Sequence, residues 1–236
     1  MKQAITRFIY SVALKLAMQK LICNPQDQNS FHRILCLGAH SDDIEIGCGG
    51  TILKLLEQFQ DIDVHWVVFS ATGHRQKEAL ASANSFLKNA NKKNIIIKEF
   101  RERFFPYIGI EIKEFFDQLS KEVSPDLVLT HYRNDLHQDH KLISELTLNA
   151  FRNHMILEYE IPKYDGDLGN PNFFVHLDQP LYQQKLSYLI KHFQTQSNKQ
   201  WFDEETFSSI LRLRGIESNA PDRYAEAFYC RKAIFI

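Results

Sequence analysis

Gly38-Ala39-His40-Ser41-Asp42-Asp43 puts one imidazole and two adjacent carboxylates in a short stretch that follows an apolar run and leads into a glycine-rich segment. Almost a hundred residues on, His131-Tyr132-Arg133-Asn134-Asp135-Leu136-His137-Gln138-Asp139-His140 again follows an apolar run. Hydrolysis by a divalent metal needs neutral imidazole or carboxylate ligands, an open coordination position for water, and a nearby base. His40 and Asp43, three apart in one tight turn, can converge on one ion, with Asp42 turned to the substrate side as base. His140 supplies the third ligand. His137, one helical turn before His140, can stand beside the metal to stabilise an oxyanion or donate a proton. Asp139 or Asp135 can hydrogen-bond a histidine ring and fix its tautomer. The expected centre is a His2Asp site with room for water.

Each of these residues also has a plainer use. Asp42 and Asp43 suit a helix cap, His137 and His140 a solvated helix start, and His131 a core position. Two His/Asp clusters, each placed after a strand-like run, argue for metal binding over coincidence. The expected ion is a divalent metal. A non-haem Fe(II) oxygenase using the same residues, and a non-catalytic sugar-binding protein, stand as rival functions.

The elements around the two clusters alternate. Ile34-Leu35-Cys36-Leu37 predicts a buried strand, followed by a helix from about Gly49 to Gln58. Strand patterns at Val64–Ser70, Asn94–Lys98 and Leu127–Thr130 are separated by helical patterns at His74–Asn89 and Ile110–Val123. A helix from His140 to Asn153 follows, then strands at Met155–Ile161 and Phe173–His176, and helices at Leu181–Gln194 and Glu204–Leu213. The expected class is α/β: a Rossmann-like, mostly parallel sheet with helices on both faces. Ligands of such sheets gather beyond the carboxyl ends of the strands where strand order reverses, and both clusters sit at strand ends.

The chain has 236 residues, 44% of them apolar, enough for one ordinary core; residues 31–236 are expected to form one domain. With 28 basic and 29 acidic side chains, nothing draws the whole surface to nucleic acid or anionic lipid. Cys23, Cys36, Cys48 and Cys230 form no CxxC pair, which favours a reducing, cytoplasmic setting. Residues 1–30 contain Ile5, Phe8, Ile9, Val12, Leu16 and Leu21 at amphipathic spacing, interrupted by Lys15 and Lys20. They predict a helical extension rather than a targeting or transmembrane segment. Homo-oligomerisation is left open.

Ala39-His40-Ser41-Asp42-Asp43-Ile44-Glu45-Ile46-Gly47-Cys48-Gly49-Gly50 closely resembles the AHPDDxExGxGG signature of the PIG-L/LmbE-like zinc N-deacetylases. Asp135 to His140 resembles their HxDH signature, and Arg214-Gly215-Ile216-Glu217 with Tyr224-Ala225-Glu226-Ala227-Phe228 resembles their RG…YAEAF ending. The resemblance runs from Ile34 to Phe228. It implies an N-acetylated amino sugar or glycoconjugate as substrate, such as an N-acetylglucosamine derivative. His40, Asp43 and His140 are then zinc ligands, Asp42 the general base and His137 the oxyanion-stabilising group, with Asp139 in the catalytic set. Arg75, Asp135 and Arg214 are expected at the substrate. Ser41 stands where the family has proline, and the connection from Gly73 to Arg75 is shorter than in many members.

Overall fold

The computed structural model describes residues 32–59 and 61–233. The expected extension over residues 1–30 lies outside the described residues. Ile34-Leu35-Cys36-Leu37 is apolar at every position because its strand is covered on both faces. Ile34 and Cys36 enter one core while Leu35, Leu37 and Ala39 enter another. That strand is β1 (Arg33–His40). It is followed by α1 (Asp43–Gln58), β2 (Asp63–Ser70), α2 (Gly73–Phe86), β3 (Lys92–Ile97), α3 (Gly109–Glu122), β4 (Leu127–His131) and α4 (Gln138–Ala150). Then come β5 (Met155–Tyr159), β6 (Phe173–Leu177), α5 (Gln179–His192), α6 (Glu204–Glu217) and β7 (Tyr224–Cys230).

The seven strands among the described residues join one sheet in the order β3-β2-β1-β4-β5-β7-β6. The first five run parallel, and β7 lies antiparallel between β5 and β6. On one face α1, α2, α5 and α6 supply Ile52, Phe86, Leu186 and Phe207 to the core; on the other α3 and α4 supply Phe116 and Ile143. The chain is therefore an α/β protein with a mostly parallel sheet, as the alternation predicts. The outer strand β3 opens with exposed Lys92 and Lys93. No helix among the described residues is long and apolar enough to cross a membrane.

Two elements differ from expectation. Helix α1 begins at Asp43, not Gly49, although Gly47, Gly49 and Gly50 are poor helix formers. Packing requires them: a Cβ at Gly47 would lie 2.1 Å from the Tyr159 ring, and one at Gly49 would lie 2.6 Å from Phe86. β7 carries a buried glutamate in mid-strand, which hides its strand pattern in the sequence. Glu226 accepts the Gly50 and Thr51 amides of α1 at 2.7 and 2.6 Å and pairs with buried Lys185, which also donates to Ile46 O.

Candidate metal centre

The order of strands reverses at β1 and β4, since β2 continues the sheet to one side and β5 to the other. Their ladder ends at Cys36 opposite Leu129, so the strands part beyond it and open a crevice at their carboxyl ends. His40 closes β1 and Asp43 opens α1; His137 caps α4 and His140 lies in its first turn. Two strand-to-helix turns thus face each other across the split.

The atoms expected to be ligands meet there. His40 Nδ1 is 3.1 Å from His140 Nε2, and Asp43 Oδ2 is 3.4 Å from the first and 3.5 Å from the second. Three ligands of a tetrahedral zinc, each about 2.0–2.1 Å from the ion, stand about 3.3 Å apart. The three atoms therefore already occupy the edges of such a cage, and all three residues are buried. His137 also groups within 4.8 Å with His40 and His140, and His131 with Asp43 and His140. One nitrogen of each is otherwise engaged: Asp139 N–H donates to His137 Nδ1 at 3.2 Å, and Ala39 N–H donates to His131 Nε2 at 2.9 Å.

The cluster calls for positive charge. Burial disfavours the charged form of His40, but the Asp43 and Asp139 carboxylates outweigh it and push its pKa up to about 10. Burial and the neighbouring His131 push His140 down to about 3. Against its own burial, Asp43 is held well below the usual carboxylate range by His140, His131 and His40. Asp42, 3% exposed, moves the other way, because burial and the adjacent Asp43 charge raise its pKa. A carboxylate so raised is the better proton acceptor near neutral pH. His137 is lowered by burial and by His40, so its ring is neutral. With Nδ1 accepting the Asp139 amide, its proton sits on Nε2, which is then a hydrogen-bond donor.

Behind the ligands stand two carboxylates. Asp139 Oδ2 holds His40 Nε2 at 3.1 Å and is itself fixed by the Arg103 and Phe105 amides at 2.6 and 3.2 Å. Arg103 adopts φ +67° to aim that amide. Asp135, expected among the substrate contacts, is only 2% exposed. Its Oδ2 holds His140 Nδ1 at 2.9 Å and pairs with Lys163, while Oδ1 accepts the His137 amide. That places it behind His140 rather than in the crevice. Arg214 departs further from expectation. Nε and Nη2 clasp Glu160, Nη2 also reaches Gly169 O, and Nη1 is shared between the two Glu217 oxygens. All five donors are taken within the protein, so none remains for a substrate. Arg75 stands beside Asp42: Nε donates to Ser41 Oγ at 3.2 Å, Nη1 pairs with Glu102, and Nη2 lies 3.9 Å from Asp42 Oδ1. The serine in place of proline thus receives the arginine.

Sequence reasoning gave no role to Tyr159, which reaches from β5 to donate to Leu37 O at 2.6 Å, and took His131 as core filler. A tyrosine in a strand carries no chemical signal of its own. The RG…YAEAF ending is structural as well: a Cβ on Gly215 would lie 1.9 Å from Arg223 O, and Glu226 anchors α1.

Residues 35–151, which contain both turns, match the PIG-L family model, described as GlcNAc-PI de-N-acetylase. The uncharacterized deacetylase YaiS of Escherichia coli (strain K12) is 28% identical over 169 residues, covering 67% of this chain and 89% of that protein. The N,N'-diacetylchitobiose deacetylase of Pyrococcus horikoshii superposes with a TM-score of 0.62 at 22% identity, over 97% of this chain and 91% of that one. The 4-carboxy-2-hydroxymuconate hydratase GalB of Pseudomonas putida KT2440 superposes with a TM-score of 0.69 at 17% identity, over 86% and 98%. One fold thus carries both hydrolases and a hydratase, and fold alone does not choose the reaction. Both turns, the fold and the family model agree in likening this chain to the PIG-L deacetylases.

Proposed function

We propose that this protein is a metal-dependent N-deacetylase that hydrolyses the acetamide of an N-acetylated amino sugar or glycoconjugate. The observation that carries the reading is the spacing of His40 Nδ1, Asp43 Oδ2 and His140 Nε2, which suits one small divalent ion, zinc before Fe2+. When bound there, such an ion supplies Lewis acidity, polarising a carbonyl and lowering the pKa of water toward about 7. The chain's own residues supply the rest. Asp42, dry and raised in pKa, takes the proton of the attacking water. The neutral His137 ring offers its Nε2–H to the carbonyl oxygen as negative charge develops, a donor fixed in place before the reaction. Arg75 lies beside Asp42, where a guanidinium can hydrogen-bond sugar hydroxyls. Asp139 and Asp135 keep the ligand rings turned inward. The oxygenase alternative leaves Asp42 without a task.

The test is zinc-loaded protein offered N-acetylated amino sugars on nucleotide, lipid, thiol and polysaccharide-type carriers, with free amine as the readout. Asp42→Asn is expected to keep its zinc and lose turnover by about 10²–10⁴-fold, whereas His140→Ala is expected to lose the metal. An Asp42→Asn protein of full activity refutes the assigned base.

A further inference from the structure

We infer that His131 and Tyr159 form a wedge between β1 and β4 that sets the spacing of the metal ligands. The inference rests on the metal-binding reading above. Past Cys36 the ladder between the two strands stops, yet two β1 groups beyond it are not left unpaired. Leu37 C=O accepts from the Tyr159 hydroxyl at 2.6 Å, and the Ala39 amide donates to His131 Nε2 at 2.9 Å. Two side chains stand where backbone partners would otherwise close the sheet. Both are fully buried, at 0% exposure. His131 closes β4 opposite Tyr159 on β5, and the Tyr159 hydroxyl lies 3.3 Å from His131 Nε2.

The wedge touches two of the ligands and holds the residue before the third. Ala39, whose amide it holds, immediately precedes His40. His131 Nε2 lies 3.2 Å from Asp43 Oδ2, and the His131 ring is stacked on that of His140, with centroids 4.0 Å apart and planes 19° from parallel. Because His131 Nδ1 is buried with no partner among the described residues, every polar contact of this ring seen there passes through Nε2. On the other side, α1 presents Gly47 to the Tyr159 ring at a distance that admits no Cβ, so the ring is pinned between helix and strand. His131 and Tyr159 are positioning residues that act through Ala39, Asp43 and His140.

The measurement is zinc affinity, by competition with a chromophoric chelator, for the full chain and for His131→Phe, His131→Gln and Tyr159→Phe, with the melting temperature of each metal-free protein alongside. His131→Phe keeps the stacked ring and removes the acceptor, and Tyr159→Phe removes one oxygen. Each is expected to weaken zinc binding about 10- to 100-fold, whereas His131→Gln, whose amide oxygen can accept from Ala39, stays within about threefold of the wild type. Should His131→Phe fail to fold, Tyr159→Phe reads the same quantity. Variants that melt lower but compete for zinc as the wild type does overturn the wedge and leave the metal site standing. A wild type that competes no better than His140→Ala overturns the metal reading and the wedge with it.

Discussion

In the proposed reaction His137 performs two tasks with one ring. Its Nδ1 caps α4 by accepting the Asp139 amide, and that contact leaves Nε2–H as the donor assigned to the developing oxyanion. His137→Ala is therefore expected to lose about 1 kcal/mol of stability with the cap and about 10²–10³-fold in kcat with the donor. His137→Asn restores the cap but not the reach, so urea unfolding returns toward the wild-type value while turnover stays low. If turnover recovered along with stability, the ring would be serving the helix alone. The same economy explains which site residues were legible in the sequence. His40, Asp42, Asp43 and His140 announce themselves by type and spacing, whereas the substrate role expected of Asp135 and Arg214 depends on which way each side chain turns. Asp135 turns to a histidine ring, and Arg214 is saturated by Glu160, Glu217 and Gly169.

At the scale of elements, glycines that look alike in sequence differ in what surrounds them. Replacing Gly47 by alanine should gain about 1 kcal/mol of helix propensity, yet the new Cβ would meet the Tyr159 ring. The net expectation is a loss of about 1–3 kcal/mol from overpacking. At Gly109, in the first turn of α3, no atom lies within 4 Å of the added Cβ, and alanine there should stabilise by about 0.4–1 kcal/mol. Chemical denaturation of the two variants should shift in opposite directions. The buried Lys185–Glu226 pair yields a third expectation. Glu226→Ala leaves two helix amides unpartnered and a buried ammonium without its counter-charge, at a cost of about 3–5 kcal/mol. A shift under 1 kcal/mol in the same experiment would show that the pair does not hold α1. These cases also mark where sequence reading stopped. Periodicity finds β1 and β4 because both are apolar throughout, but it passes over β7, whose mid-strand glutamate serves a helix 175 residues earlier.

For the molecule as a whole, the two histidines of the proposed metal site pull metal-free stability in opposite directions with pH. His40, raised to about 10, keeps a proton that the unfolded chain releases above about 6.5. Its contribution is whole below that pH and is lost as pH rises through about 10. His140, lowered to about 3, stays neutral where the unfolded chain takes up a proton, so stability also falls as pH drops from about 6.5 toward 3. The melting temperature of metal-free protein should therefore peak near neutrality and decline on both sides. With zinc at 100 times its Kd the fold should gain about 2.7 kcal/mol, and the alkaline decline should flatten because the ion replaces the proton on His40. A metal-free profile that keeps rising from pH 7 to pH 10 would contradict the charge assigned to His40.

The lysines that open β3 bear on crowding rather than chemistry. An outermost strand presents unpaired amides and carbonyls to any similar edge, and ammonium groups along that margin must shed their water before another chain can zip onto it. Concentrated solutions of this protein should accordingly resist sheet-to-sheet polymerisation through that border, and replacing Lys92 and Lys93 with valine should invite fibrils.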